Sequence, residues 1–323
     1  MKNKLIGLLI LAFAAVLVIG CDDDAKALQI QKLTTYDDQY YANLRDFKKS
    51  DHEVSYAYYE AWSPIQGVSG YKDPASWGER MIGLPDSIDI VNLWMGVPTS
   101  NNNDANNKLF GLTYAPVAAA DIQYCQKVKG TRFVTHADAS NMNHTFTVDG
   151  VYYDISTLAT TVTIQAYGKW LVEQAQQAGL DGIDLDYEGW TSANLTTLVT
   201  YMGSLIGPKG ADPSKLLIVD YFSSTPPSAI APYCNYVVQQ AYSNQTSASF
   251  TSSWPTEKVI FCETFGLYWS TGGQLYNYAR KEPTTGRKGG CGVFYLGRNY
   301  QSASGIPYYE FRQAIQIMNP AIH

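Results

Sequence analysis

Five cysteines in 323 residues, none in a CxxC pair, and four histidines scattered at 52, 136, 144 and 323 leave little material for a metal centre. Structural zinc sites need Cys and His at close spacing, and a thiol or hydroxyl nucleophile needs a histidine beside it; the sequence offers neither pattern. No metal and no cofactor are expected, and Cys125, Cys234, Cys262 and Cys291 are expected to be mostly free, buried thiols. Basic runs are equally scarce. With 23 Lys and Arg against 29 Asp and Glu, and a net charge of −6, the chain lacks the positive face that neutralising phosphates requires, so nucleic acid is excluded as a partner. Long apolar runs are missing too: Leu5 to Ile19 spans about 15 residues, short of the roughly 20 that cross a bilayer as a helix.

That short run has another meaning. It follows Met1-Lys-Asn-Lys4 and ends Val18-Ile19-Gly20-Cys21 before three aspartates, the layout of an export signal. Cys21 resembles the lipid-modified cysteine of bacterial lipoproteins, and the acidic residues behind it resemble a surface-export tag. Expected is a signal peptide over 1–20, a lipidated tether with an N-terminal helix over 21–50, and a monomeric outer-membrane lipoprotein facing the cell surface.

Hydrophobic content is 46%, enough for one large core. Short apolar runs start at Val54, Ile88, Arg132, Gly182, Leu216, Tyr236, Lys258 and Gly292. Helical periodicity separates several of them, clearest from Thr163 to Ala178, where apolar residues recur at spacings of three and four before Gly179, and again from Ser192 to Leu205. Eight strands alternating with helices over residues 51–323 predict an α/β fold, a single (β/α)8 TIM barrel. Active sites of such barrels lie where the strands end. The closing residues include Glu60 and Trp62, Trp94, His136 and Asp138, Tyr221, Gln240 and Tyr242, Glu263, and Tyr295 with Arg298. The 25 Tyr and 7 Trp suit stacking on sugar rings as well as packing in a core.

One run stands apart: Asp181-Gly-Ile-Asp184-Leu-Asp186-Tyr-Glu188. Alternation along a strand puts Asp184, Asp186 and Glu188 on one face and Ile183, Leu185 and Tyr187 on the other. Three acids so close cannot all ionise, so at least one holds a proton near neutral pH, as a general acid must. Glu188, nearest the strand end, is the natural donor. Asp181, three residues before Asp184, falls off the shared face and reads as structural.

The spacing Asp181-x-x-Asp184-x-Asp186-x-Glu188 resembles the signature of family 18 glycoside hydrolases, which that family carries on the fourth barrel strand. The resemblance implies substrate-assisted retaining hydrolysis, in which the sugar's own 2-acetamido oxygen attacks C1. It further implies that Glu188 protonates the leaving oxygen, that Asp186 orients the acetamide and stabilises the oxazolinium ion, and that Asp184 shares a proton with Asp186. Strand six reads Gln240-Ala241-Tyr242, similar to the Gln-x-Tyr of endo-β-N-acetylglucosaminidases rather than the Met-x-Tyr-Asp of chitinases. Tyr242 is then expected at the acetamido oxygen and Gln240 at the reacting sugar, with Gln239 the alternative one residue out. Glu60, Trp94, His136, Tyr221, Glu263 and Tyr295 are the further candidates for substrate binding. The expected partner is an N-glycan or another GlcNAc-containing oligosaccharide. Chitin hydrolysis, and glycan capture without cleavage, stay open as alternatives.

Overall fold

A computed structural model describes residues 34–60, 80–94, 96–101 and 112–320 of the chain. Cys21 with the whole leader, Trp62, and most of the Asn-rich segment after Thr99 lie outside the described residues. Eight parallel strands close into a barrel: β1 Val54–Tyr58, β2 Ile90–Leu93, β3 Arg132–Asp138, β4 Gly182–Tyr187, β5 Leu216–Tyr221, β6 Tyr236–Gln239, β7 Val259–Thr264 and β8 Gly290–Phe294. Each pairs with its neighbours in sequence, and β8 returns to β1.

Two apolar cores result. Inside the barrel pack Val54, Tyr56 and Tyr58 with Ile90, Val134, Leu216, Ile218, Val238, Ile260 and Cys262, all at alternate positions of their strands, as inward-facing residues must be. The opposite strand faces carry the larger core against the helices, with Ile183 and Leu185 of β4 among its fully buried members. Four thiols, Cys125, Cys234, Cys262 and Cys291, are buried and free. Burial pushes those of Cys125 and Cys291 up to about 12, so they behave as small hydrophobes.

Helix α1, Asp38–Lys49, is capped by Asp37, whose side chain accepts from the Tyr40 amide, and it packs beside the segments that lead into β2 and β3. There Lys48 Nζ donates to the Ile88 carbonyl at 2.5 Å and to Thr131 Oγ1 at 3.0 Å. Helix α2, Pro116–Tyr124, precedes β3. Helix α3, Thr161–Gln177, starts in a capping box at Thr160 and buries Ile164, Tyr167, Leu171 and Ala175, and Gly179 at φ +69° ends it, the left-handed position that glycine fills at least cost. Helix α4 spans Ser192–Leu205. The regular alternation then lapses. Between β5 and β6 the described chain makes only the short 3-10 turn Ser228–Tyr233, and between β6 and β7 only Thr256–Lys258. Helical windings resume with α5 Phe265–Tyr268, α6 Leu275–Arg280 and α7 Tyr309–Met318. A hairpin, Thr145–Val148 with Val151–Asp154, is inserted after β3.

Candidate active site

Asp181 sets the register of the acidic strand from below: its Oδ2 accepts from the Phe133 amide and from Gln126 Nε2, both at 2.8 Å. From that anchor β4 runs upward with Asp184 fully buried and Asp186 partly so. Glu188 lies one residue past the strand, and Gly189 behind it has no room for a side chain, because a Cβ there would stand 1.8 Å from the Ser140 carbonyl oxygen.

At the C-terminal mouth a cleft of about 230 Å³ is lined by Tyr58, Trp94, His136, Asp186, Glu188, Asp220, Gln240, Tyr242 and Phe294. Its floor is polar and its wall aromatic. Phe294 is the hub of the wall: Trp94 meets it edge-on at 4.9 Å, Tyr58 edge-on at 5.7 Å, and Tyr242 stacks on it at 5.7 Å between ring centres. Such a surface offers flat apolar faces beside hydrogen-bonding tips, which suits a pyranose ring. On the floor, Gln240 Nε2 donates to Asp220 Oδ1 at 2.6 Å and to Asp186 Oδ1 at 3.2 Å. His136 Nε2 stands 3.5 Å from Asp186 Oδ2. Beneath them Asp184 Oδ2 accepts from Tyr56 Oη and from Asn92 Nδ2, the latter at 2.8 Å.

The acids differ in proton affinity because their surroundings differ. Glu188 is raised above the ordinary glutamate range, first by partial desolvation of its carboxyl and next by the negative charge of Asp186; Gln240 and His136 pull the other way. Asp184 is also raised, by burial above all, against the stabilising bonds from Tyr56 and Asn92. A carboxylic acid with raised affinity at the cleft mouth, beside a second acid held in place by an amide, is an arrangement for delivering a proton to a leaving group.

The structure brings together Glu188, Asp186, Tyr242, Gln240, Trp94 and His136 in the cleft, with Asp184 directly under it. Gln239, the alternative on strand six, is occupied elsewhere, donating to the Ser247 carbonyl and accepting from the Ser249 amide. Four other candidates do not line the cleft. Tyr221 follows the inward-facing Asp220 and so lies on the opposite face of β5. Tyr295 takes a left-handed backbone at φ 63° and packs against Phe294 with ring centres 4.0 Å apart and planes tilted by 46°, under the Arg298 guanidinium. Glu60 is buried and accepts from the Gly297 amide at 3.1 Å, joining the ends of β1 and β8.

Glu263 is also fully buried, and works as a backbone clamp. Oε1 accepts from the amides of Ser243 and Thr264 at 3.0 and 2.8 Å, and Oε2 from that of Gln274 at 2.9 Å. It therefore holds the segment that carries Tyr242 to the end of β7. Replacing Glu263 with Ala leaves buried amides without an acceptor, and the expected loss is on the order of 3 kcal/mol of unfolding free energy. Chemical denaturation measures it; a variant as stable as the parent overturns the clamp.

Asp220, Tyr56, Tyr58, Asn92 and Phe294 escaped the sequence reading. Their signal was parity, which puts every second residue of a strand inside the barrel. Applied to β5 it picks Asp220 over Tyr221, and applied to β8 it picks Phe294 over Tyr295. An aspartate within Leu216-Leu-Ile-Val-Asp220 is the plainer clue, since a charge closing an apolar strand has to be explained.

Comparison with known proteins agrees with the geometry. The sequence profile of the endo-β-N-acetylglucosaminidase EndoS TIM-barrel domain matches residues 57–265. Endo-β-N-acetylglucosaminidase F2 of Elizabethkingia meningoseptica is 29% identical over 318 residues, covering 86% of this chain and 85% of that protein. Among solved structures, an endo-β-N-acetylglucosaminidase from Cordyceps militaris in its apo form superposes with a TM-score of 0.62 at 21% identity, over 89% of this chain and 98% of that one. A chitinase from Bacteroides thetaiotaomicron reaches 0.52 at 10% identity, over 84% and 99%, so the barrel by itself does not choose between these substrates. With residues 57–265 matched, from within β1 to just past the end of β7, the chain is a glycoside hydrolase and belongs to the endo-β-N-acetylglucosaminidase EndoS TIM-barrel family.

Proposed function

We propose that this endo-β-N-acetylglucosaminidase cuts the GlcNAc-β1,4-GlcNAc core of N-glycans by a substrate-assisted retaining mechanism and leaves one GlcNAc on the protein. The observation that carries this reading is the joint placement of Gln240 and Tyr242 in the cleft, with the Gln240 amide on Asp186 and beside Glu188. In the first half of the reaction the acetamido oxygen bonds to C1 as the C1–O bond to the second GlcNAc breaks. Glu188 gives its proton to the departing oxygen. Asp186 faces the nitrogen of the acetamide and balances the positive charge that develops on the oxazolinium ring, a charge–charge interaction strengthened by the partly desolvated setting. In the second half Glu188, now a carboxylate, takes a proton from water as that water attacks C1, and the configuration is retained. Glu188 carries the proton in both halves, the sugar supplies the first nucleophile and water the second.

Incubating the full chain in mild detergent with a high-mannose glycoprotein, a complex-type glycoprotein and chitin oligosaccharides, and weighing the products, tests the reading. Released glycans ending in a single GlcNAc are expected. Chitobiose from chitin with the glycoproteins untouched would overturn the substrate, and glycan binding with no product from any of them would overturn catalysis.

Residues 1–20 are proposed to be an export signal, Cys21 the lipidated first residue of a monomeric mature protein, and 21–50 the tether that holds the barrel at the outer cell surface. The support is the sequence Val18-Ile19-Gly20-Cys21 behind a short apolar run. A Cys21→Ser variant that stays in the membrane fraction would sink the anchor.

A further inference from the structure

Asp220 is a buried acid to which the signature strand assigns nothing. It sits inside the barrel, level with Asp186 across the β4–β5 ladder, and is fully buried. Its Oδ1 accepts from Gln240 Nε2 at 2.6 Å. Its Oδ2, and Oδ1 of Asp184, are buried and meet no nitrogen or hydroxyl donor among the described residues. The Asp220 carboxyl lies within hydrogen-bonding reach of both Asp184 and Asp186. Two buried acids within reach of one another, each with one oxygen that has no donor, repel if both are ionised, and a single proton between them turns the contact into a hydrogen bond.

Which acid keeps that proton follows from the donors around each. Asp184 Oδ2 receives two hydrogen bonds, from Tyr56 Oη and Asn92 Nδ2, and both favour its anion. Asp220 receives one, from a neutral amide. The titratable groups around Asp220 include Asp184 and Asp186 of β4, Glu188 just past it, Tyr56 and Tyr58 of β1, His136 of β3, Tyr242 beyond β6 and Cys262 of β7; His136 stands by Asp186 and favours the Asp184 anion as well. Burial first, then the two aspartates, raise Asp220 well above the ordinary carboxyl range.

We propose that Asp220 is a positioning residue that stays protonated through the working pH range and donates its hydroxyl hydrogen to Asp184, leaving the charge of Asp186 free to face the sugar. The shared proton thereby moves one strand over, from the Asp184–Asp186 pair to the Asp220–Asp184 contact. Asp186 then needs no protonation change while the positive charge rises and falls opposite it. This rests on the reading of Asp186 as the charged partner of the oxazolinium ring.

The discriminating substitution is Asp220→Asn. An asparagine Nδ2 donates as the acid O–H does, and its Oδ1 still accepts from Gln240, so the variant mimics the protonated acid at every pH. The expected result in the full chain is a kcat within about threefold of the parent, whereas Asp220→Ala, which leaves a buried Asp184 oxygen without a donor, loses about tenfold or more. An Asp220→Asn variant that falls as far as Asp220→Ala means the residue acts as an anion and overturns the proposal, as does full activity in Asp220→Ala. Difference infrared spectra give a readout independent of turnover and of the Ala variant's folding. Recorded in a Glu188→Gln background, where the proton donor adds no band of its own, the carbonyl band of a protonated carboxylic acid is expected at neutral pH and is lost when Asp220→Asn is added; a band that survives that substitution places the proton elsewhere. Failure of the reading it rests on looks different, as a parental kcat in Asp186→Asn or an unmodified chain with no turnover on any glycan.

Discussion

Glu188→Gln lowers kcat by between about 10²- and 10⁴-fold while glycan binding is kept, because the amide preserves the size of the side chain and removes only the transferable proton. The pH profile of the parent carries the same signature. Glu188 is raised by desolvation and by Asp186; for an acid whose protonated form does the work, a raised pKa keeps the active form populated as pH climbs past the ordinary glutamate value of about 4.3. Activity is then lost as pH rises through the raised value. The alkaline limb of kcat belongs to Glu188, and it is absent from the residual rate of Glu188→Gln. A variant with the parental rate, or one that keeps that limb, would remove Glu188 from the proton-donor role.

Asp186→Asn has the second large effect, with two separable readouts. Loss of the carboxylate opposite the oxazolinium ring costs about 10²- to 10³-fold in kcat, the scale measured when one group stabilising transition-state charge is deleted. The asparagine oxygen still accepts from Gln240 Nε2, so a fall of that size reports charge rather than collapse of the floor. The second readout is the position of the alkaline limb. Asp186 is the leading charge raising Glu188, so its neutralisation lets Glu188 ionise more easily and moves the limb to lower pH. A stationary limb in a variant with normal unfolding behaviour would show that the two carboxyls do not sense one another, and the assignment of Asp186 would fall with it.

Strand positions and strand parity explain both what was legible and what was not. Asp184, Asp186 and Glu188 were readable as a set because alternation within one strand needs no partner: the side-chain period is two whatever the rest of the chain does. Asp181 was separable from them for the same reason, and the structure finds it holding the Phe133 amide. Helices α3 and α4 were readable because apolar spacing and a terminal glycine are local marks. Boundaries were less so. Strand six was expected to run to Tyr242, but it stops at Gln239, and the Ala241 amide bonds back to the Gln239 carbonyl, a sharp bend no residue type announces. The helices expected after strands five and six are short 3-10 turns in the described chain.

Glu60, Glu263, Tyr221 and Tyr295 show where reading from strand ends fails. Each stands at or near the end of its strand, and each lies outside the cleft lining, two as buried acceptors of loop amides and two beside the inward-facing Asp220 and Phe294. An acid that closes a strand can face the sugar or tie down the next loop, and composition is blind to the difference. By itself the sequence determined the barrel and the acidic face of its fourth strand, because these depend on periods and spacings within single elements. Only the tertiary structure decided which residues of the other seven strands join that face, because strand register and loop paths are set by pairing across the barrel. That is why Asp220, one residue from the tyrosine that was expected, came into view only with the closed barrel.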